Sequence, residues 1–189
     1  MEAVLDLTRR YSYIEYISDI FKEIRCEFLE GFIKLFPSPI AVHARASGNI
    51  YSEMKYFLKK QKSNCEVFHS PFEVHFRNGS GEITHNLQPD VLVVCDPEKI
   101  QEWCEGTPDL VVEVLSPSTA ARDWKDKYDI YEKFGVREYW IVDPYSKTIT
   151  VFILKDGKFS DAILYEKGKI PVFIFENKCK IDLDYVFNR

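Results

Sequence analysis

No stretch of this sequence is apolar over the length a membrane-spanning helix needs, and the amino-terminal MEAVLDLTRRYSYIEY mixes charges into its apolar residues instead of forming a secretory leader. The expectation is a cytoplasmic protein with no membrane association. Cysteine is sparse: Cys26, Cys65, Cys95, Cys104 and Cys179 are scattered, odd in number and without a CxxC pair. That excludes the common zinc and thiol-redox spacings and reads as reduced thiols. The 4 histidines form no HExxH pair, so His69, His75 and His85 read as structural. There is no Walker loop, dinucleotide fingerprint, GxSxG elbow or zinc-deaminase signature. An excess of basic charge is missing as well. With a formal net charge of -5, any contact with a polyanion has to come from a local patch or a metal.

What is present suffices for one core. With 46% hydrophobic and 15% aromatic residues, 189 residues suit a single globular domain over 1–189. No repeat, low-complexity tract or linker interrupts it. The pattern predicts a short helix over Tyr13–Ile24, then strand, glycine turn and strand over Cys26–Phe36, ended by Pro37 and Pro39. Ala46, Ile50, Met54, Phe57 and Leu58 recur at helical spacing, which predicts an amphipathic helix over Val42–Lys60 with His43 on its inner face. Strands are expected at Glu66–Phe76 and Val91–Cys95, and a central strand, covered on both faces, at Leu110–Leu115. A helix over Thr119–Phe134 follows, then a strand-rich remainder with a hairpin turn at Lys155-Asp156-Gly157-Lys158. Strands mixed with long helices indicate an α/β layer fold around one mixed sheet.

Glu113 is the most informative residue. A carboxylate inside Leu110-Val111-Val112-Glu113-Val114-Leu115 needs a cation or a proton; a strand-edge ion pair or a neutral buried acid would also satisfy it. Asp90 opens the other apolar strand, so two strands can each bring one acid toward the same edge, where a divalent cation relieves both charges. Taken alone, Pro89-Asp90 is also a common turn. At roughly 100° per residue, Trp124, Tyr128, Ile130, Tyr131 and Phe134 define an apolar arc that includes Lys127 and leaves out Lys125 and Lys133. An ammonium there can orient a water or steady charge on a phosphate oxygen, or it can simply lay its stem on the core. Asp123 points to the same arc, but a helix starting nearby would use it as an N-cap. For His43 the competing role is a core imidazole. Glu27, Glu30 and Glu53 could each add an acid, and no spacing selects among them.

Taken together, Gln88-Pro89-Asp90-Val91, the segment Pro108 to Thr119, Asp123 with Lys127, and Gly135-Val136-Arg137-Glu138-Tyr139-Trp140-Ile141-Val142-Asp143 closely resemble the Uma2 family of the PD-(D/E)XK nuclease superfamily. Upstream, Glu27 to Gly31, Phe36-Pro37-Ser38-Pro39 and His43 match it too. The resemblance implies a restriction endonuclease-like α/β fold, a central mixed β-sheet flanked by helices. It implies Asp90 and Glu113 as the motif acids, binding Mg, with Mn as substitute, together with the backbone carbonyl of Val114. The superfamily's lysine ordinarily stands two residues after the glutamate, where this chain has Leu115; in Uma2-like proteins it has moved to the following helix, which matches Lys127. Glu30, His43, Gln88 and Asp123 are accessory candidates, and Phe32 occupies a position where the family often carries an acid. The function so implied is an endonuclease hydrolysing nucleic-acid phosphodiester bonds, in DNA foremost, and a symmetric homodimer would suit double-strand cleavage. The alternative is an inactive descendant of the fold that binds nucleic acid or protein.

Overall fold

The computed structural model describes residues 6–18, 21, 24–35, 38–117 and 120–188. A capping box at Ser12 and Glu15 starts α1, the single turn Tyr13–Tyr16. Residues 19, 20, 22 and 23, within the helix expected over Tyr13–Ile24, lie outside the described residues, as do Pro37 and Thr119, expected to end a strand and begin a helix. The strands β1 (Cys26–Leu29) and β2 (Phe32–Leu35) pair antiparallel across a tight turn in which Glu30 and Gly31 both have positive φ, 47° and 94°. The amphipathic helix follows as α2 (Ala41–Gln61), burying Ala46, Ile50, Met54 and Leu58. Lys59 and Lys60 complement its C-terminal dipole. Gly48 is an anomaly within it: a Cβ there would meet nothing within 4 Å, yet a helical glycine costs about 1 kcal/mol relative to alanine.

The expected strand Glu66–Phe76 is in fact two, β3 (Glu66–His69) and β4 (Val74–Arg77), which join different sheets. Pro71 lies between them, and with no N–H it cannot continue a ladder. Next come β5 (Ile83–Leu87), which the sequence pattern did not predict, β6 (Val91–Val94), β7 (Cys104–Glu105) and β8 (Leu110–Val114). The helical segment that follows is composite. A short α3 (Ala120–Arg122) runs through a π turn, Asp123–Lys127, into α4 (Tyr128–Phe134). The chain closes with β9 (Glu138–Asp143), β10 (Thr148–Lys155), β11 (Lys158–Phe159), β12 (Ile163–Tyr165), the hairpin β13 (Lys169–Val172) and β14 (Cys179–Asp182), and α5 (Leu183–Phe187). Asp156 and Gly157, both at positive φ, make the β10–β11 turn the sequence signals.

Among the described residues the strands divide between two large sheets instead of one. The first, of 5 strands, has the order β2-β1-β5-β4-β7; the second, of 7, runs β11-β10-β9-β8-β6-β3, with β12 also pairing β10. The parallel β8–β9 pair requires a crossover, which the α3–α4 segment supplies. On one face of the larger sheet α2 packs over Val91, Val93, Val112 and Val114. The opposite face, with Leu92, Val94 and Val111, packs with the smaller sheet and α4. Covered on both sides, β8 is buried at every position, which is why its sequence is a continuous apolar run.

Two further expectations are corrected. The thiols are not all reduced: the antiparallel register that sets Glu66 opposite Val94 sets Cys65 opposite Cys95, and the two form a disulfide, while Cys26, Cys104 and Cys179 are free and buried. Cysteine usage therefore supplies no case for a reducing compartment. Trp124 does not join the inner arc, being 45% exposed. A π turn carries more residues per turn than an α-helix, so the 100° projection falls out of phase across Asp123–Lys127.

Candidate active site

Register brings the motif acids together. Val91 faces Val112 across the β6–β8 ladder, so Asp90, one residue before β6, stands beside Glu113 on the same face. Asp90 is tied down there, accepting from the Val114 N–H at 2.7 Å through Oδ2. Both acids and Val114 line one cleft of about 230 Å³.

The helical crossover delivers the cation. Lys127 Nζ lies 2.8 Å from Glu113 Oε1, 3.0 Å from Glu27 Oε1 and 3.8 Å from Asp123 Oδ1. The Lys127 side chain is only 4% exposed, whereas Lys125 and Lys133 are exposed. Tyr131 donates its hydroxyl to Glu113 Oε1 at 2.6 Å, which orients the carboxylate from below. At the rim, His43, near the start of α2, has Nε2 3.2 Å from Asp90 Oδ2. It lines the cleft instead of filling the core.

Of the remaining candidates, the structure selects Glu27. It is buried on β1, accepts from the Gln88 backbone N–H at 3.0 Å, and has Arg122 3.6 Å from its second oxygen. The same criterion that picked Glu113, a carboxylate inside an apolar strand, applies to Glu27 in Cys26-Glu27-Phe28-Leu29 and could have found it. Glu30 is not brought to the cleft: the β1–β2 turn directs it toward Lys133 and His85, at 3.5 and 3.9 Å. Glu53 is remote too, accepting from the Asp182 N–H. Gln88 lines the cleft while donating its side-chain amide to Glu73 at 3.2 Å. Asp123 is a correction: it is not an N-cap but sits inside the helix, buried one turn before Lys127. Arg25 and Arg122, which no sequence signal singled out, also line the cleft.

The electrostatics express an excess of acid. Burial pushes the Glu113 carboxyl well above its ordinary range; Lys127 opposes this, while Asp123, Asp90 and Glu27 add to it. Burial alone would lower the Lys127 ammonium, but Glu113, Glu27 and Asp123 overcome it and hold the proton more tightly than usual. Desolvation likewise works against the His43 imidazolium and is outweighed by Asp90 and the Val114 carbonyl, raising its pKa.

Among the described residues, no group of three or more His, Cys, Asp or Glu side chains is disposed to hold a metal ion. A hard cation needs less from the protein, since Mg²⁺ keeps several waters and takes one or two carboxylates. Asp90, Glu113 and the Val114 carbonyl form an all-oxygen set of that size, at a spot where buried acids outnumber buried cations. The donor set fits.

A family model described as "putative restriction endonuclease", that of Uma2, matches residues 12–172. Among curated proteins none matches the chain. Among solved structures, a "putative nuclease belonging to DUF820" from Anabaena variabilis superposes with a TM-score of 0.71 at 20% identity, covering 86% of this chain and 89% of that one. At that identity the likeness establishes the fold, which is restriction endonuclease-like. With the family match running from the first helix into β13, this chain belongs to the Uma2 family.

Proposed function

We propose that the protein is a metal-dependent endonuclease whose site is Asp90, Glu113 and Lys127. One observation carries the proposal: a lysine with both motif acids in its cleft is buried against one of them, 2.8 Å from Glu113, on the helix after the glutamate strand. Asp90, Glu113 and the Val114 carbonyl would hold Mg²⁺, with Mn²⁺ as substitute. Such an ion supplies charge neutralisation at a phosphate and lowers the pKa of water. The chain's own groups do the rest. Lys127 orients the attacking water and steadies charge building on the phosphate oxygens. Glu27, through its contact with the ammonium and with the Gln88 N–H, positions Lys127, and Tyr131 positions Glu113. His43 orients Asp90, and Arg25 and Arg122 bring positive charge to the phosphate side of the cleft. DNA as substrate and a cytoplasmic setting belong to the same proposal.

The test is cleavage of single- and double-stranded DNA and RNA with Mg²⁺ or Mn²⁺. Glu113→Ala should be inactive, and Lys127→Met should lose turnover by about 100-fold or more with metal affinity nearly unchanged. Near-normal cleavage by Lys127→Met, where Glu113→Ala is dead, refutes the lysine's role.

A further inference from the structure

Beside the acid cluster a second hollow, of about 420 Å³, opens along α2 and shares Arg25, His43, Ser70 and Asp90 with the cleft. One wall is the α2 face carrying Ala44, Ser47, Gly48 and Tyr51; the other carries His69 and the Ser70-Pro71 turn. Gly48 needs no unusual backbone conformation and is not pressed by any neighbour, so neither turn geometry nor packing accounts for a glycine that weakens the helix. Its effect is to leave this wall bare. Beside it, Tyr51 of this wall and His69 of the other meet edge to face with ring centroids 4.9 Å apart. His69 Nδ1 donates to the Ser70 carbonyl at 2.7 Å, which fixes the ring while the residue stays exposed. A bare helix wall, a fixed aromatic pair and an arginine at the boundary with the acids make a continuous path out of the cleft.

We infer that this hollow holds the nucleotide adjoining the scissile phosphate, with its base unstacked from the strand and laid against Tyr51 and His69. The inference rests on the nuclease proposal: a polymer with one phosphate at the acids has to continue into an adjoining hollow, and this one shares Asp90 itself. Its volume lies in the range of about 300–1,000 Å³ typical of small-ligand sites. Aromatic faces accept any base, and a base held in a duplex cannot reach them, so the substrate class is single-stranded or frayed nucleic acid with little sequence preference.

The experiment uses the full chain carrying Glu113→Gln, which keeps the shape of the acid, and reads anisotropy of a short labelled single strand. Gly48→Ala, whose methyl meets nothing, should bind as the parent does. Gly48→Leu, a better helix former than glycine, should weaken binding about tenfold, the order of one lost base–aromatic stack, and Tyr51→Ala should do the same. On the otherwise native chain, Gly48→Leu should raise KM for the single strand and leave cleavage of bis(p-nitrophenyl) phosphate, a diester with no flanking nucleotide, unchanged. Parent-like binding by Gly48→Leu overturns the inference, and so does equal loss on both substrates. A native chain that cleaves neither substrate, beside Gly48-dependent binding of the strand, removes the nuclease proposal and retains the nucleotide site. A native chain that cleaves both, indifferent to Gly48→Leu, does the reverse.

Discussion

Replacing Lys127 with methionine keeps the stem of the side chain and removes its charged end, leaving Glu113 and Glu27 facing each other across the vacated ammonium position. Nζ contacts them at 2.8 and 3.0 Å, and all three side chains are no more than 4% exposed. Removing one member of so buried a set costs about 3–5 kcal/mol, mostly the penalty of uncompensated charge. Urea unfolding in EDTA, native chain against Lys127→Met, should therefore show a loss of that size at pH 8. The deficit should shrink toward pH 6. Burial already holds the Glu113 carboxyl of the native fold well above its unfolded value against the opposition of Lys127, and the variant removes that opposition; proton uptake by Glu113 then stabilises the fold below the unfolded pKa, and that gain disappears as pH rises through the folded one. The double variant Glu113→Gln/Lys127→Met should lose clearly less than the two single losses summed. A loss under about 1 kcal/mol at pH 8, or strict additivity, would mean that the acids find other compensation and that the charge accounting is wrong.

Asp90→Ala and Glu113→Ala should each weaken Mg²⁺ and Mn²⁺ binding by at least about tenfold while the fold persists, because each removes a negative ligand from an acid-rich cleft; calorimetric titration with unchanged affinity in both would move the ion elsewhere. His85 is buried, which lowers its pKa to about 4. The unfolded chain thus binds the extra proton first, and stability is lost as pH falls from the unfolded value of about 6.5 toward 4. Between pH 7 and 5 the native chain should lose about 2 kcal/mol more than His85→Gln, and parallel slopes for the two would contradict the assignment. Glu138 accepts from Trp140 Nε1 at 2.7 Å and from the Ile174 N–H at 2.9 Å inside the core. Glu138→Leu should cost about 3 kcal/mol by stranding both donors, readable as a lower urea midpoint, whereas Glu138→Gln should cost less.

Much of this molecule can be read along the chain where one physical cause dominates. The α2 stripe, the Gly31 and Asp156-Gly157 turns and the buried run of β8 each announce themselves through periodicity or turn chemistry, and all are found. Glu113 and Lys127 are legible for a related reason: a charge in an apolar context requires a partner. What escapes is whatever depends on pairing across distance. The split of Glu66–Phe76 between two sheets and the Cys65–Cys95 disulfide both follow from strand register, which no local pattern encodes. The exposure of Trp124 has a local cause, a π turn where an ideal α projection points it inward, and Asp123 is no cap because the helix is already under way at Ala120.

That π turn bears on how relatives are aligned. A five-residue turn within an α-helix is equivalent to one inserted residue, so the segments on its two sides obey different phases, joined at Asp123–Lys127. Deleting one residue between them would restore a regular helix and rotate everything upstream by about 100° relative to Tyr128–Phe134. Asp123 and Arg122 would swing away from Glu27 and Lys127 while Tyr131 kept its place. A single-residue gap aligned to this stretch in a homologue therefore marks a rebuilt charge cluster, and an alignment that slides the gap to a neighbouring loop would equate side chains that never occupy the same place.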